Sequence, residues 1–286
     1  MMARTRRASV KPTTTLTFVL LNVLFMAAGA AVVAWTLYPV YESSRYLASA
    51  ALAIGAAVAI GVLCDRLGWG GGRAAALAAG VYVVGGITLV VPGATSGVDG
   101  ALQAFIELVR GPVLGWKDIV TLPLPLGEYR ATIVPVFALL LTGTLLAVWW
   151  ALGSARRWAL AAVTLGVVEA IAIIIGPAAR ADALAWAPLG TFLSREFVVG
   201  LALFLVMLTW FLWRASYQRG RAISVTRAAG GVHLAKAPRH RLLAEVAAGG
   251  AMLIAAICVA VLVAGPLAAS TPREVARSAI EPQAHH

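Results

Sequence analysis

Charged residues are scarce in this chain, and cysteines are nearly absent. Asp, Glu, Lys and Arg make up 12% of the 286 residues, whereas 61% are hydrophobic. Because a soluble domain is about a quarter charged, the excess apolar surface requires lipid as its solvent. The two cysteines, Cys64 and Cys258, both lie in apolar segments, which excludes a disulfide framework and a CxxC metal site. These absences predict one integral membrane domain.

The motifs of common enzymes are also missing. The sequence contains no HExxH zinc motif, no GxSxG nucleophile elbow and no P-loop. Its long apolar runs hold no lysine for a retinal Schiff base, no histidine, and no acid other than Glu169. We therefore predict that the chain by itself is not an enzyme, has no catalytic residue and binds no cofactor or metal.

Seven apolar runs are present, each close to the ~20 residues that cross a bilayer as a helix. Because the runs are continuous rather than alternating, they predict helices and not the strands of a barrel. The predicted fold class is an all-α bundle of seven transmembrane helices. A cleaved signal peptide is the alternative for the first run, but that run is long and ends in aromatic residues. The runs are Leu16–Leu37, Leu47–Cys64, Ala74–Val91, Ile133–Leu152, Trp158–Gly176, Phe197–Trp213 and Ala247–Leu267.

Lys and Arg are unevenly distributed between the two sides of this membrane domain, residues 16–268. Of the 23 basic residues, 15 lie on the side of the N-terminal tail (1–15), and seven of these occupy the inner loop 214–245. The positive-inside rule places that side in the cytoplasm and the C-terminal tail (269–286) outside. The net charge of +11 is then a signal of topology in a bacterial plasma membrane. It indicates anionic lipid rather than nucleic acid as the partner.

The predicted outer loop, residues 92–130, has an amphipathic first half. Leu102, Phe105, Ile106 and Val109 follow the i, i+3, i+4, i+7 spacing of one helix face. At about two turns, such a helix is too short to span a membrane. We expect it to lie in the interface or to cap the outer mouth of the bundle. It is either a structural surface helix or a gate or docking element.

The second half of this loop, from Trp116 to Arg130, is rich in proline and leucine. Pro123 and Pro125 oppose a helix and impose an extended path. The path is nevertheless apolar, so it has to be buried against protein or the interface. Gly127 allows the chain to turn before the fourth run begins.

The run from Gly115 to Pro135, GWKDIVTLPLPLGEYRATIVP, carries a family resemblance. It resembles the N-terminal membrane domain of bacterial transglutaminase-like proteins of the TgpA type, in their actinobacterial branch. The tail Thr271–Arg277, followed by Glu281 and Pro282, is similar to the family segment after the last N-terminal span.

In that family an outer transglutaminase-like domain with a Cys–His–Asp site follows the membrane domain. This chain has no outer cysteine, so no catalytic residue of the family is carried over. It is either a fragment or a naturally short member. The resemblance implies a non-catalytic membrane anchor or scaffold of a cell-envelope protein. It also implies MoxR-type ATPases and DUF58-type proteins as cytoplasmic partners.

Glu169 is the one ionisable group deep in an apolar run. A carboxyl group there costs a few kcal/mol unless it is paired or neutralised, so it should face the bundle. Either it makes a hydrogen bond to a neighbouring helix, through Asn22 or a threonine, or it relays protons or ions or pairs with a cation on another protein. The second interpretation predicts a small transporter or permease subunit that uses Glu169 and the outer loop. The candidate functional residues are Glu169, Trp116, Pro123, Pro125, Gly127 and Arg130.

Overall fold

The computed structural model describes residues 16–91, 97–122, 124–127, 129, 132–153, 157–176 and 195–230. Within these ranges all regular secondary structure is helical, which confirms the predicted all-α class for the described part. The helices are α1 (Leu16–Tyr41), α2 (Ser44–Leu67), α3 (Gly71–Gly85, continued by the π-helical turn Gly86–Val90), α4 (Val98–Thr121), α5 (Ile133–Leu152), α6 (Leu160–Ile175) and α7 (Arg195–Gly230).

Five of these helices are long and apolar enough to cross a membrane: α1, α2, α3 with its π turn, α5, and the Phe197–Gly220 part of α7. Helix α6 is apolar but has 16 residues, a length of about 24 Å against ~30 Å of hydrocarbon. The seventh predicted run, Ala247–Leu267, and both predicted tails lie outside the described residues. The chain is a multi-pass helical membrane protein, while the spans predicted at Trp158–Gly176 and Ala247–Leu267 and the orientation stay predictions.

Helix α5 is the centre of the described bundle. It packs against α1, α2, α3, α4 and α6, whereas α7 packs mainly against α1. In its apolar stretch 67% of the residues are buried, against 28–39% in the other four spanning helices. The other spanning helices therefore present most of their surface to lipid, while α5 is largely enclosed by protein. Its boundaries, Ile133 and Leu152, are those of the fourth predicted run.

Glycines permit the closest contacts around α5. A Cβ atom at Gly61 of α2 would lie 2.5 Å from Val148 Cγ1 of α5. A Cβ atom at Gly143 of α5 would lie 2.7 Å from Val168 Cγ2 of α6. Because glycine has no side chain, the valine of the facing helix packs directly on the glycine backbone at these two points, and the helices gain van der Waals contact.

Helix α4 is longer than the sequence predicted. It has 24 residues and continues to Thr121, so the first part of the segment predicted to be extended, Trp116–Thr121, is helical. The prediction extended the influence of Pro123 too far, since a proline opposes the helical conformation only at the residue before it. That residue, Leu122, is extended, with φ −85° and ψ 148°.

Helix α7 also exceeds its prediction, because it runs to Gly230 and includes the first part of the predicted inner loop 214–245. The added segment, Arg214–Gly230, contains no proline and several strong helix formers. Its basic residues, which we placed in a flexible loop, are therefore carried on a helix.

We expect the substitution Gly61→Leu to destabilise the protein by about 1–3 kcal/mol, because the new side chain overlaps Val148 and the core is overpacked. Gly55→Leu is the matched control. Gly55 lies in the same helix with no neighbouring atom within 4 Å, and both changes alter helix propensity equally. Thermal unfolding in detergent measures the difference. Equal melting temperatures for the two variants would contradict the packing described here.

Candidate functional site

The family-like run from Gly115 to Pro135 connects α4 to α5 on one face of the bundle. This is the face at the α1–α2 connection, which the basic residues predict to be outside; it is called the predicted outer face below. Helix α4 packs there against the end of α3 and the start of α5. The hydroxyl of Tyr82 donates a hydrogen bond of 2.7 Å to the carbonyl oxygen of Leu108. Leu108 lies against Gly86, and Val134 lies against Gly111.

After α4 the chain is buried against the end of α1, as the sequence predicted for this apolar strip. The backbone N–H of Leu126 donates to the carbonyl oxygen of Val40 at 2.8 Å, and the Leu126 side chain is 6% exposed. Leu122 and Leu124 pack against the same core. At Gly127 the backbone has φ +59°, a left-handed conformation that glycine adopts without strain. The predicted turn is therefore present.

Two stacked tyrosines join this segment to the α1–α2 connection. The rings of Tyr41 and Tyr46 are 4.7 Å apart, and both side chains are almost fully buried. The Tyr41 hydroxyl donates to the carbonyl oxygen of Thr132 at 3.0 Å. The Tyr46 hydroxyl donates to the carbonyl oxygen of Ala34 at 2.6 Å. Each buried hydroxyl thus has a backbone acceptor, which removes most of the cost of burying it.

The other candidate residues of this run do not converge on a common pocket in the described part. Trp116 is partly buried against the core, Pro125 is exposed, and Gly127 lies in the turn. Pro123 and Arg130 lie outside the described residues. The described members therefore serve chain direction and packing.

Glu169 faces the interior of the bundle, with 4% of its surface exposed. Its Oε1 atom accepts a hydrogen bond of 2.8 Å from the Thr36 hydroxyl of α1. The threonine alternative is thus correct, and Asn22 is not the partner. The Oε2 atom has no hydrogen-bond partner among the residues that the structure describes. Thr36 Oγ1 also lies 3.1 Å from the carbonyl oxygen of Val32, so one hydroxyl proton has two acceptors within reach.

A second buried polar group, not identified from the sequence, surrounds Arg214. This Arg214 cluster consists of Asn22, Ala151, Trp210 and Arg214. The guanidinium Nη1 atom donates to Asn22 Oδ1 at 2.5 Å and to the carbonyl oxygen of Ala151 at 2.6 Å. Trp210 Nε1 donates to the same Asn22 oxygen at 3.0 Å. The cluster therefore joins α7 to α1 and α5.

Aromatic rings enclose the charge of Arg214. Its Cζ atom lies 5.2 Å from the ring centre of Phe18, 5.1 Å from that of Trp158 and 5.5 Å from that of Trp210. Arg214 is 2% exposed, and its Nε atom has no partner within the described ranges. Within the described ranges, cation–π contacts and hydrogen bonds to neutral groups thus take the place of a carboxylate.

In the sequence Arg214 is one of the basic residues of the predicted inner loop, and this cluster was not predicted. Two signals were available. Trp210 and Arg214 are four residues apart, which places them on one helix face. Asn22 is the one amide side chain in the first apolar run, and a polar group there requires a partner on another helix.

We expect Arg214→Ala to destabilise the protein by roughly 2–4 kcal/mol, because it removes the hydrogen bonds of the guanidinium to Asn22 and to the carbonyl oxygen of Ala151, together with its cation–π contact with Trp210. Arg214→Lys should recover only part of this loss, since lysine lacks the planar guanidinium. Arg66→Ala, at an exposed position of α2, is the control. Thermal unfolding followed by tryptophan fluorescence measures all three. A melting temperature of Arg214→Ala equal to that of the control would refute the role of the cluster.

A groove of about 640 Å³ lies between α3 and α5, next to Pro112 of α4. Its walls are almost entirely apolar, and Glu169 is not among its lining residues. Among the residues with a described position, no group of three His, Cys, Asp or Glu side chains is close enough to hold a metal ion. The lining of the groove consists of Gly71, Ala74, Ala75, Ala78, Ala79, Tyr82, Pro112, Ala138, Leu141, Thr142, Leu145, Leu146, Trp149 and Trp150.

Comparison with known protein families, with curated proteins and with solved structures finds no match for this chain. The family resemblance of the Gly115–Pro135 run therefore stays a prediction.

Proposed function

We propose that this chain is a non-catalytic membrane scaffold of a transglutaminase-like cell-envelope protein. One observation carries the proposal: the run with the family resemblance is a packing element. Ile119, Leu126, Ile133 and Val134 are all nearly inaccessible in the bundle. The polar backbone of the run is bound to α1 through Val40. The run thus has a structural place in the bundle, and the role of positioning another module follows from the family resemblance.

The predicted orientation supports this role. With the N-terminus in the cytoplasm, the α4–α5 connection lies outside, on the side where an outer module would be attached. The basic end of α7 lies inside, where MoxR-type ATPases and DUF58-type proteins are the proposed partners. Anionic lipid headgroups are proposed for the same basic surface.

Reading the encoding gene beyond codon 286 tests the scaffold proposal. We expect the reading frame to continue into an outer domain with a Cys, a His and an Asp of transglutaminase type. The longer product should cross-link glutamine to lysine, and the 286-residue chain should not, because no residue of the family's Cys–His–Asp site is carried over to this chain. Cross-linking by the chain alone would reject the proposal, and a stop codon after codon 286 next to a transporter gene would support the transporter instead.

A transporter or permease subunit is the second candidate function, and two orphan polar atoms favour it. Glu169 Oε2 and Thr144 Oγ1 are both buried without a hydrogen-bond partner in the described part of the chain. Val168 and Gly143, their neighbours in sequence, are in contact. Against transport, Glu169 is 4% exposed and does not line the groove between α3 and α5.

The substitution Glu169→Gln separates the two functions. Glutamine keeps a donor and an acceptor near Thr36, so we expect the free energy of unfolding to stay within about 1 kcal/mol of the parent's. Thermal unfolding measures this difference. Glu169→Ala should lose about 2 kcal/mol or more, because the contact is removed and a cavity remains. Proton flux into proteoliposomes is then measured with a pH-sensitive dye. A scaffold gives no flux above empty liposomes for any variant. Flux in the parent that Glu169→Gln abolishes would support the transporter instead.

A further inference from the structure

Helix α4 has three distinct faces. The first is directed at the bundle and consists of small and apolar residues at helical spacing. These residues are Ala104, Leu108, Gly111, Gly115 and Ile119, all of which are buried. Glycine at two of the five positions brings the helix backbone close to its neighbours, as the contact of Gly111 with Val134 shows.

The second face is apolar but exposed. Its members are Leu102 (59% exposed), Phe105 (45%), Ile106 (38%), Val109 (62%) and Val113 (76%). At about 100° of rotation per residue, its centre lies about 130° around the helix from the centre of the buried face. The apolar face predicted from the sequence is therefore present on α4, but a different face of the helix packs against the bundle.

The third face is mainly charged or polar. It consists of Asp99, Gln103, Glu107, Arg110, Lys117 and Asp118, with one exposed apolar residue, Leu114, among them. The helix geometry places these residues on the remaining side, between the exposed apolar face and the buried face. A surface helix whose exposed sides all meet water is expected to be polar on all of them. Helix α4 has one exposed side that is apolar and one that is mainly polar, which indicates that these two sides meet different media.

The position of α4 identifies these media. Leu108 packs on Gly86, in the π turn that ends α3, and Gly111 packs on Val134, at the start of α5. Helix α4 therefore lies where two spanning helices end, at the boundary between hydrocarbon and headgroups. The lipid-facing side of α3 is also apolar close to this point, since Val84 is 64% exposed.

We propose that α4 is a membrane-interface helix whose Leu102–Val113 face is inserted into the lipid leaflet in which α3 ends and α5 begins. Its charged face meets water, and its small-residue face contacts the bundle. The exposed apolar face is continuous with the lipid-facing surface of the spans, so the same lipid covers both. This inference goes beyond the scaffold role and does not depend on it.

Site-directed spin labelling of the full chain in lipid nanodiscs tests the proposal. Cys64 and Cys258 are replaced by alanine, and single cysteines are introduced for labelling at apolar-face positions 102, 109 and 113 and at charged-face positions 103, 110 and 117. A label at Val163, 59% exposed on α6, provides the reference for lipid. Collision with oxygen reports hydrocarbon, and collision with a water-soluble nickel chelate reports water.

The three apolar-face labels should show an oxygen-to-nickel collision ratio severalfold above that of the charged-face labels and close to that of position 163. Equal nickel accessibility on both faces would overturn the proposal, because the apolar face would then lie in water. Protection of the apolar face from both reagents would also overturn it, because a second copy or another protein would then cover the face. Each labelled variant must first have the same melting temperature as its unlabelled parent. The six sites then provide independent readings.

Discussion

Contact with α5 is the interaction on which the described bundle depends. In lipid the hydrophobic effect does not drive one apolar helix onto another, since lipid tails are as apolar as the side chains. Association then relies on van der Waals contact and on hydrogen bonds between helices. Gly61 and Gly143 supply the van der Waals contact, because the side chains of Val148 and Val168 pack directly on their backbones. A central helix with 67% of its apolar stretch buried is the result.

Hydrogen bonds between helices supply the second contribution, and they lie at different levels of the bundle. Tyr41 joins the end of α1 to the start of α5 through Thr132. Glu169 joins α6 to α1 through Thr36. Arg214 joins α7 to α1 and α5 through Asn22 and Ala151. Because an unpaired polar group in an apolar interior is costly, each pair also restricts how its helices rotate and slide.

These contacts give a structural partner to residues for which the sequence suggested a chemical role. Glu169 has a threonine partner and does not line the apolar groove. The Leu- and Pro-rich run is bound to α1 through a backbone hydrogen bond. Both features therefore have a packing partner within the described bundle.

The sequence by itself determined which segments are helices in the membrane. A continuous apolar run has one stable solution in lipid, so the boundaries of α5 agree with the prediction, and those of α1 and α2 differ by a few residues. It also predicted the turn at Gly127, because a local conformation has a local cause. Helix ends in polar segments were predicted less well, as Thr121 of α4 and Gly230 of α7 show, because no change of solvent marks them.

Tertiary structure alone decided which polar groups meet. Asn22 and Thr36 lie in the same helix, and either was a possible partner for Glu169 until the rotation of α1 against α6 was known. Arg214 looked like one more inner-loop charge until α7 was packed against α1. Likewise Gly55 and Gly61 are equivalent in the sequence of α2, yet only Gly61 meets another helix. The physical reason is that helical periodicity specifies the faces of a helix, whereas the neighbour of each face depends on residues far away in the chain.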